Sequence, residues 1–167
     1  MRNTTIDKTP ERKPKSATQA LQSLMRLCSR AEKSSGDALR LMRTWNVPEG
    51  ERQGVLDKLI ELRFIDDARY AEAYTREKSN IAGWGTKKIE FQLRQKGINK
   101  EFISKAISSV DTTQQEEQLV KKLERKLRTT KANNNYELRG KLLRYALSMG
   151  YEYDSATAII DKITTEE

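Results

Sequence analysis

Apolar side chains recur at three- and four-residue intervals along most of the chain, the spacing that lines one face of an α-helix. Leu21, Leu24, Met25, Leu27 and Cys28 follow it, then Val55, Leu56, Leu59 and Ile60, then Leu119, Leu123 and Leu127. No proline follows Pro48. Glycine and asparagine must therefore end the later helices.

That punctuation is periodic. Ile89, Leu93, Gly97, Ile98 and Ile107 follow one another at offsets of four, four, one and nine, and the same offsets connect Ala38, Met42, Asn46, Val47 and Leu56, and Leu142, Ala146, Gly150, Tyr151 and Ile160. Two apolar residues four apart make a helical stripe. The Gly or Asn lets the helix end through a left-handed residue, and the apolar residue after it folds back over the junction. A unit that recurs three times at this spacing is a repeated helix, turn, helix module. One more helix is predicted before each pair, over residues 17–32, 67–79 and 113–129.

The predicted fold class is all-α: three tandem three-helix repeats, residues 17–64, 65–110 and 111–163, forming an elongated or curved array. A disordered basic tail over 1–16 and a flexible end over 164–167 flank them. The loops IAGWGTKK and TTKANNNYE join the first and second helices of repeats two and three. Their Gly and Asn content predicts mobile surface connections.

Charge narrows the partner. Lys and Arg outnumber Asp and Glu by 32 to 24, a net charge of +8, which favours phosphate backbones or acidic protein surfaces. The densest run, over 121–144, holds nine basic side chains against Glu124 and Glu137. Within it Lys121, Arg125 and Arg128 share one helical face and Lys122 and Lys126 adjoin it. The corresponding regions add Arg40 and Arg43 in repeat one, Lys87, Lys88, Arg94 and Lys96 in repeat two, and Arg139, Lys141 and Arg144 in repeat three. Contact to DNA phosphates, contact to an acidic protein groove, and an ordinary solvated face all remain open for this set. Trp84, flanked by glycines, is either tucked over its loop or presented to a partner.

Catalytic chemistry finds little to work with. The chain has no histidine, which excludes Ser-His and Cys-His nucleophiles. Cys28 is alone, so neither an intrachain disulfide nor a multi-cysteine zinc site can form; its apolar surroundings predict a small buried side chain. Asp66 and Asp67 in LRFIDDARYAEAY stand where a carboxylate accepts hydrogen bonds from the first turn of the next helix. A glycosidase-type pair would need a shared cleft, and a metal would need further ligands. GWGTKK lacks the spacing and the preceding strand of a phosphate-binding loop, so Thr86 is read as an N-cap and Gly83 and Gly85 as residues that let the loop turn. No catalytic, metal or cofactor site is predicted, and the chain is expected to be a binder. No apolar run is long enough to span a bilayer, and the opening lacks a signal-peptide core, so a cytoplasmic protein is expected.

The repeats and the segment joining them resemble the RecX regulators of the bacterial recombinase RecA. Phe64, Asp66, Asp67, Arg69, Tyr70 and Ala71 fall on that family's signature of aromatic, paired Asp, Arg, aromatic and Ala. Gly85, Ile89, Leu93, Lys96, Gly97 and Ile98 fall on its following glycine, helix and Lys-Gly-Ile turn. The resemblance extends more weakly over residues 17–163. It implies a monomeric, non-enzymatic, cofactor-free regulator in DNA recombination, repair and the SOS response. Such a protein binds the RecA filament on single-stranded DNA and restrains filament extension, ATP hydrolysis, strand exchange and co-protease activity. Weak direct DNA binding is compatible with it, and an autonomous basic helical DNA-binding module is the alternative. Three positions depart from the family pattern: Arg63 stands where glycine is common, Asn46 replaces the turn glycine of repeat one, and Met149 replaces the lysine before Gly150.

Overall fold

A computed structural model describes residues 13–165. Residues 1–12 of the expected tail, and 166–167 of the expected flexible end, lie outside the described residues. Among the described residues there are nine helices and no strand: α1 Ala17–Cys28, α2 Ser35–Thr44, α3 Glu49–Glu61, α4 Asp67–Asn80, α5 Thr86–Gln95, α6 Lys100–Ser108, α7 Thr112–Thr129, α8 Asn135–Ser148 and α9 Tyr153–Thr165. The chain divides into two compact units, Met1–Asp66 and Asp67–Glu167.

The first unit packs α1, α2 and α3 around Leu24, Met42, Val47 and Leu59, all fully buried, with Trp45 and Phe64 against their edge. Ser16 and Ser34 start α1 and α2 with reciprocal capping boxes to Gln19 and Asp37, so the first-turn N–H groups that a helix leaves unpaired find acceptors. α1 ends at Cys28, short of the expected residue 32. Its apolar stripe stops there, and the Ser29 hydroxyl closes the end by donating to the Met25 carbonyl at 2.9 Å. Lys15 is tied to this unit: its N–H donates to the Trp45 carbonyl at 3.0 Å, and its ammonium lies 4.0 Å from the Trp45 ring centre.

In the second unit α4, α5 and α6 close over Ile89, Leu93, Ile98, Ile103 and Ala106. Helices α7, α8 and α9 close over Leu119, Leu123, Leu142, Ala146 and Ile160. The repeated five-residue pattern is visible in the backbone. Asn46, Gly97 and Gly150 have φ of 54°, 75° and 90°. The N–H after each, in Val47, Ile98 and Tyr151, reaches back to the carbonyl of Met42, Leu93 or Ala146 at 3.0, 3.1 and 3.2 Å. Arg63 makes a fourth such ending at φ 59°, a conformation that glycine adopts without steric cost.

The loop before α5 differs from its expectation. Gly83 and Gly85 are buried, and the loop is a socket for the turn after α8. Gly85, not Thr86, is the N-cap residue of α5, and no side chain caps the helix. The acceptors come from the other repeat: Gly85 N–H donates to the Met149 carbonyl at 2.8 Å and Lys87 N–H to the Gly150 carbonyl at 3.1 Å. The electropositive start of α5 thus meets the electronegative end of α8, and each satisfies the other's unpaired groups. The approach is so close that a Cβ on Gly85 would stand 2.1 Å from the Gly150 carbonyl oxygen.

Tyr151 locks the same seam, donating from its buried hydroxyl to the Gly83 carbonyl at 2.9 Å. Burial pushes its phenol up to about 12 from the ordinary 10.0. The unfolded chain therefore ionises first, so the contribution of Tyr151 to stability is complete below pH about 10.0 and is lost as pH rises toward about 12. We expect absorbance titration to contain a late-ionising tyrosine component, and Tyr151→Phe to remove that component. The same variant should destabilise the unit by about 1 kcal/mol, because the Gly83 carbonyl loses its donor.

Candidate functional site

The structure sorts the basic residues by what neutralises them. Arg40 pairs with Asp37 at 2.8 Å, Lys87 with Glu152 at 3.2 Å and Lys141 with Glu137 at 2.6 Å. Arg94 pairs with Glu90, and Arg139 with Asp161. Lys141 also donates to the Lys131 carbonyl at 2.8 Å. The Glu137 carboxyl is held below its ordinary 4.5 by its hydrogen bond with Lys141 and then by the Asn133 N–H. Lys96 lies 5.6 and 5.9 Å from the Tyr70 and Tyr74 ring centres. Arg43 is exposed in the last turn of α2, where its charge suits the helix end.

Of the remaining candidates, Lys88 lies on α5 and the others gather on repeat three. Lys121, Lys122, Arg125, Lys126, Arg128 and Arg144 have no salt-bridge partner among the described residues. α7 places them through its own periodicity. Leu119, Leu123 and Leu127 turn inward, which forces Lys121, Arg125 and Arg128 to the exposed side. Asp111 starts the helix by accepting from the N–H groups of Thr113 and Gln114 at 2.9 and 3.2 Å. At the far end an open groove of about 480 Å³ runs between α7 and α8, bordered by Lys126, Lys131, Lys141 and Arg144. The Lys126 ammonium stands 5.4 Å from the Tyr145 ring centre. Unbalanced positive charge along a helix and a groove attracts a polyanion and is screened by salt.

A second arrangement surrounds Trp84. The ring is half-buried against the α4–α6 core. Its backbone is fixed on both sides: Trp84 N–H donates to the Lys78 carbonyl at 2.9 Å, and its own carbonyl accepts from the Gln115 amide at 2.9 Å. Two ammonium groups face the ring, Lys88 at 4.4 Å and Lys78 at 5.4 Å from its centre. Lys78 also lies 5.3 Å from Tyr74, which stacks on Tyr70 with ring centres 5.8 Å apart. Sequence reading missed Lys78. The signal was its place four residues after Tyr74 and eight after Tyr70, on the same helical stripe.

Asp66 is exposed and Asp67 opens α4. No group of three or more His, Cys, Asp or Glu side chains among the described residues could hold a metal ion. No helix of the described residues is long and apolar enough to cross a membrane.

The paired aspartates, the α4–α6 helices and the Lys-Gly-Ile turn coincide with a known unit. A family model described as the second three-helix domain of RecX matches residues 66–107. The chain belongs to the RecX family. Among RecX relatives, the regulatory protein RecX of Clostridium perfringens (strain 13 / Type A) is 30% identical over 114 residues, 67% of this chain and 53% of that protein. The RecX of Clostridium botulinum (strain Eklund 17B / Type B) is 34% identical over 101 residues, 59% of this chain and 47% of that protein. The chain thus spans about half the length of these clostridial RecX proteins. A crystal structure of a regulatory protein RecX superposes with a TM-score of 0.74 at 25% identity, over 87% of this chain and 71% of that one. RecX from Lactobacillus salivarius shares the fold, with a TM-score of 0.73 at 23% identity over 89% of this chain and 97% of that one.

Proposed function

We propose that this RecX-family chain regulates a RecA recombinase by binding the nucleoprotein filament that RecA forms on single-stranded DNA. On this reading the repeats, residues 17–64, 65–110 and 111–163, are contact modules, and binding restrains filament extension. ATP hydrolysis, strand exchange and co-protease activity fall as consequences. The chain itself catalyses nothing, uses no cofactor and acts as a monomer in the cytoplasm, where RecA filaments assemble.

One observation carries the reading: the exposed α7 cations and Arg144 lack carboxylate partners among the described residues, while five other candidates are already neutralised within the chain. An acidic filament groove or the enclosed DNA would supply the missing counter-charge. Several weak contacts on linked modules would then add through effective concentration rather than through one deep pocket.

The test is ATP hydrolysis by the cognate recombinase on single-stranded DNA, titrated with this protein. Inhibition is expected well below the protein concentration that coats the same DNA without recombinase. Inhibition only at DNA saturation would replace this reading with the simpler one, a basic helical module competing for DNA.

A further inference from the structure

Three lysines from three different helices converge on one short loop. Lys78 of α4 and Lys88 of α5 both face the Trp84 ring. Lys122 of α7 lies across the neighbouring Gly83: a Cβ placed there would stand 2.4 Å from Lys122 Cε and 3.1 Å from its Nζ. Gly83 has φ +63°, so the loop bends back in a way that leaves room for this lysine. Lys78 pairs with Glu77 at 2.8 Å, and that hydrogen bond raises its ammonium above the ordinary 10.5. Lys88 and Lys122 have no carboxylate partner among the described residues.

Bringing like charges together is unfavourable, and the groups do not drift apart because their stems are held. Lys88 packs its Cβ against the Gly150 turn, Lys122 crosses Gly83, and the Trp84 ring offers its electron-rich face to Lys78 and Lys88. The loop beneath them is anchored by the Tyr151, Gln115 and Met149 hydrogen bonds. The result is a preformed, positively charged cradle with aromatic walls and one carboxylate for three ammonium groups.

We propose that Lys78, Lys88 and Lys122 form a phosphate clamp for a single-stranded nucleic acid, with Trp84 and Tyr74 beside it as surfaces for the flanking base. The charge selects a polyanion. The rings select nucleic acid over an acidic protein, because a base gains stacking on an aromatic face and a carboxylate side chain does not. A lysine that leaves the ring for a phosphate also vacates the face on which a base can stack. This assignment goes beyond the filament reading and stands without it, since it requires no recombinase.

Trp84 is the reporter. With Trp45 replaced by phenylalanine, Trp84 is the remaining tryptophan of the chain, and its fluorescence can be titrated with oligothymidylate in the absence of recombinase. A saturable change is expected. In the Lys88→Gln/Lys122→Gln variant the midpoint should rise at least about tenfold. The slope of log affinity against log salt should become shallower by about 1.4, the value for two lost phosphate contacts on a single strand. Circular dichroism checks that the variant is folded; if it is not, the salt slope of the Trp45→Phe protein still decides, because a clamp of three lysines predicts a slope of about −2 or steeper.

Poly-glutamate of matched charge, or inorganic phosphate at matched concentration, should give a much weaker response. No saturable response to oligothymidylate, or an equal response to poly-glutamate, would overturn the clamp and leave the ATP hydrolysis test of the filament reading unaffected. A response to oligothymidylate with no inhibition of recombinase would sink the filament reading and leave the clamp standing.

Discussion

Gly85→Ala is expected to lower the stability of the second unit by roughly 2–4 kcal/mol, because it forces two backbones apart and orphans the groups that join them. The added methyl would meet not a flexible side chain but the Gly150 carbonyl, with its oxygen at 2.1 Å and its carbon at 2.3 Å. Relief requires the α8 turn to withdraw, and withdrawal breaks the bonds from Gly85 N–H and Lys87 N–H to the Met149 and Gly150 carbonyls. Those groups then lie at helix ends where no side-chain cap replaces them. Gly54→Ala is the control. Gly54 lies inside α3 with nothing within 4 Å of a Cβ, so alanine there should be neutral or stabilising by up to about 1 kcal/mol. Urea unfolding followed by circular dichroism compares the two. A Gly85→Ala midpoint no lower than that of Gly54→Ala would mean that the seam is not a stabilising contact.

The seam also shows where the sequence was readable and where it was not. The turns at Asn46, Gly97 and Gly150 were legible because they depend on neighbours one to nine residues away, and their left-handed φ values follow from that local pattern. The socket was not legible, because its partner turn lies more than sixty residues downstream. Glycines in a loop read as freedom to move, whereas here they permit contact between backbones. A faint signal existed. Ser16, Ser34, Asn99, Asp111 and Asn134 cap their helices with side chains, and α5 has only Gly85 in that position. α3, behind Pro48, also lacks a side-chain cap, so an uncapped start leaves room for an acceptor from elsewhere without naming one. The basic residues divide in the same way. The pairs Glu90–Arg94 and Glu137–Lys141 are four apart and could be read from spacing. Lys87–Glu152 and Arg139–Asp161 depend on tertiary placement, so the uncompensated set on α7 emerged only once the long-range pairs were known.

On the proposed reading, reversing charge at Lys121, Arg125 and Arg128 together should weaken inhibition of the recombinase on the order of a hundredfold in effective concentration, which corresponds to about 2.7 kcal/mol. These side chains lie on the exposed side of α7, opposite Leu119, Leu123 and Leu127, so the helix has no packing reason to unfold when they become glutamate. An anionic partner would lose three attractions and gain three repulsions at one face. The comparison that isolates the face from overall charge is the triple reversal of Lys58, Lys105 and Lys162, which changes net charge by the same amount. Lys58 and Lys105 already face Glu61 and Glu72 at 2.8 and 3.7 Å, and Lys162 lies in the last turn of α9. Both variants should keep their helical circular dichroism. If the two inhibit equally poorly, long-range attraction to a basic protein explains the regulation. If only the α7 variant fails, and its residual inhibition depends less on salt, then the unneutralised face of repeat three is where the filament is held.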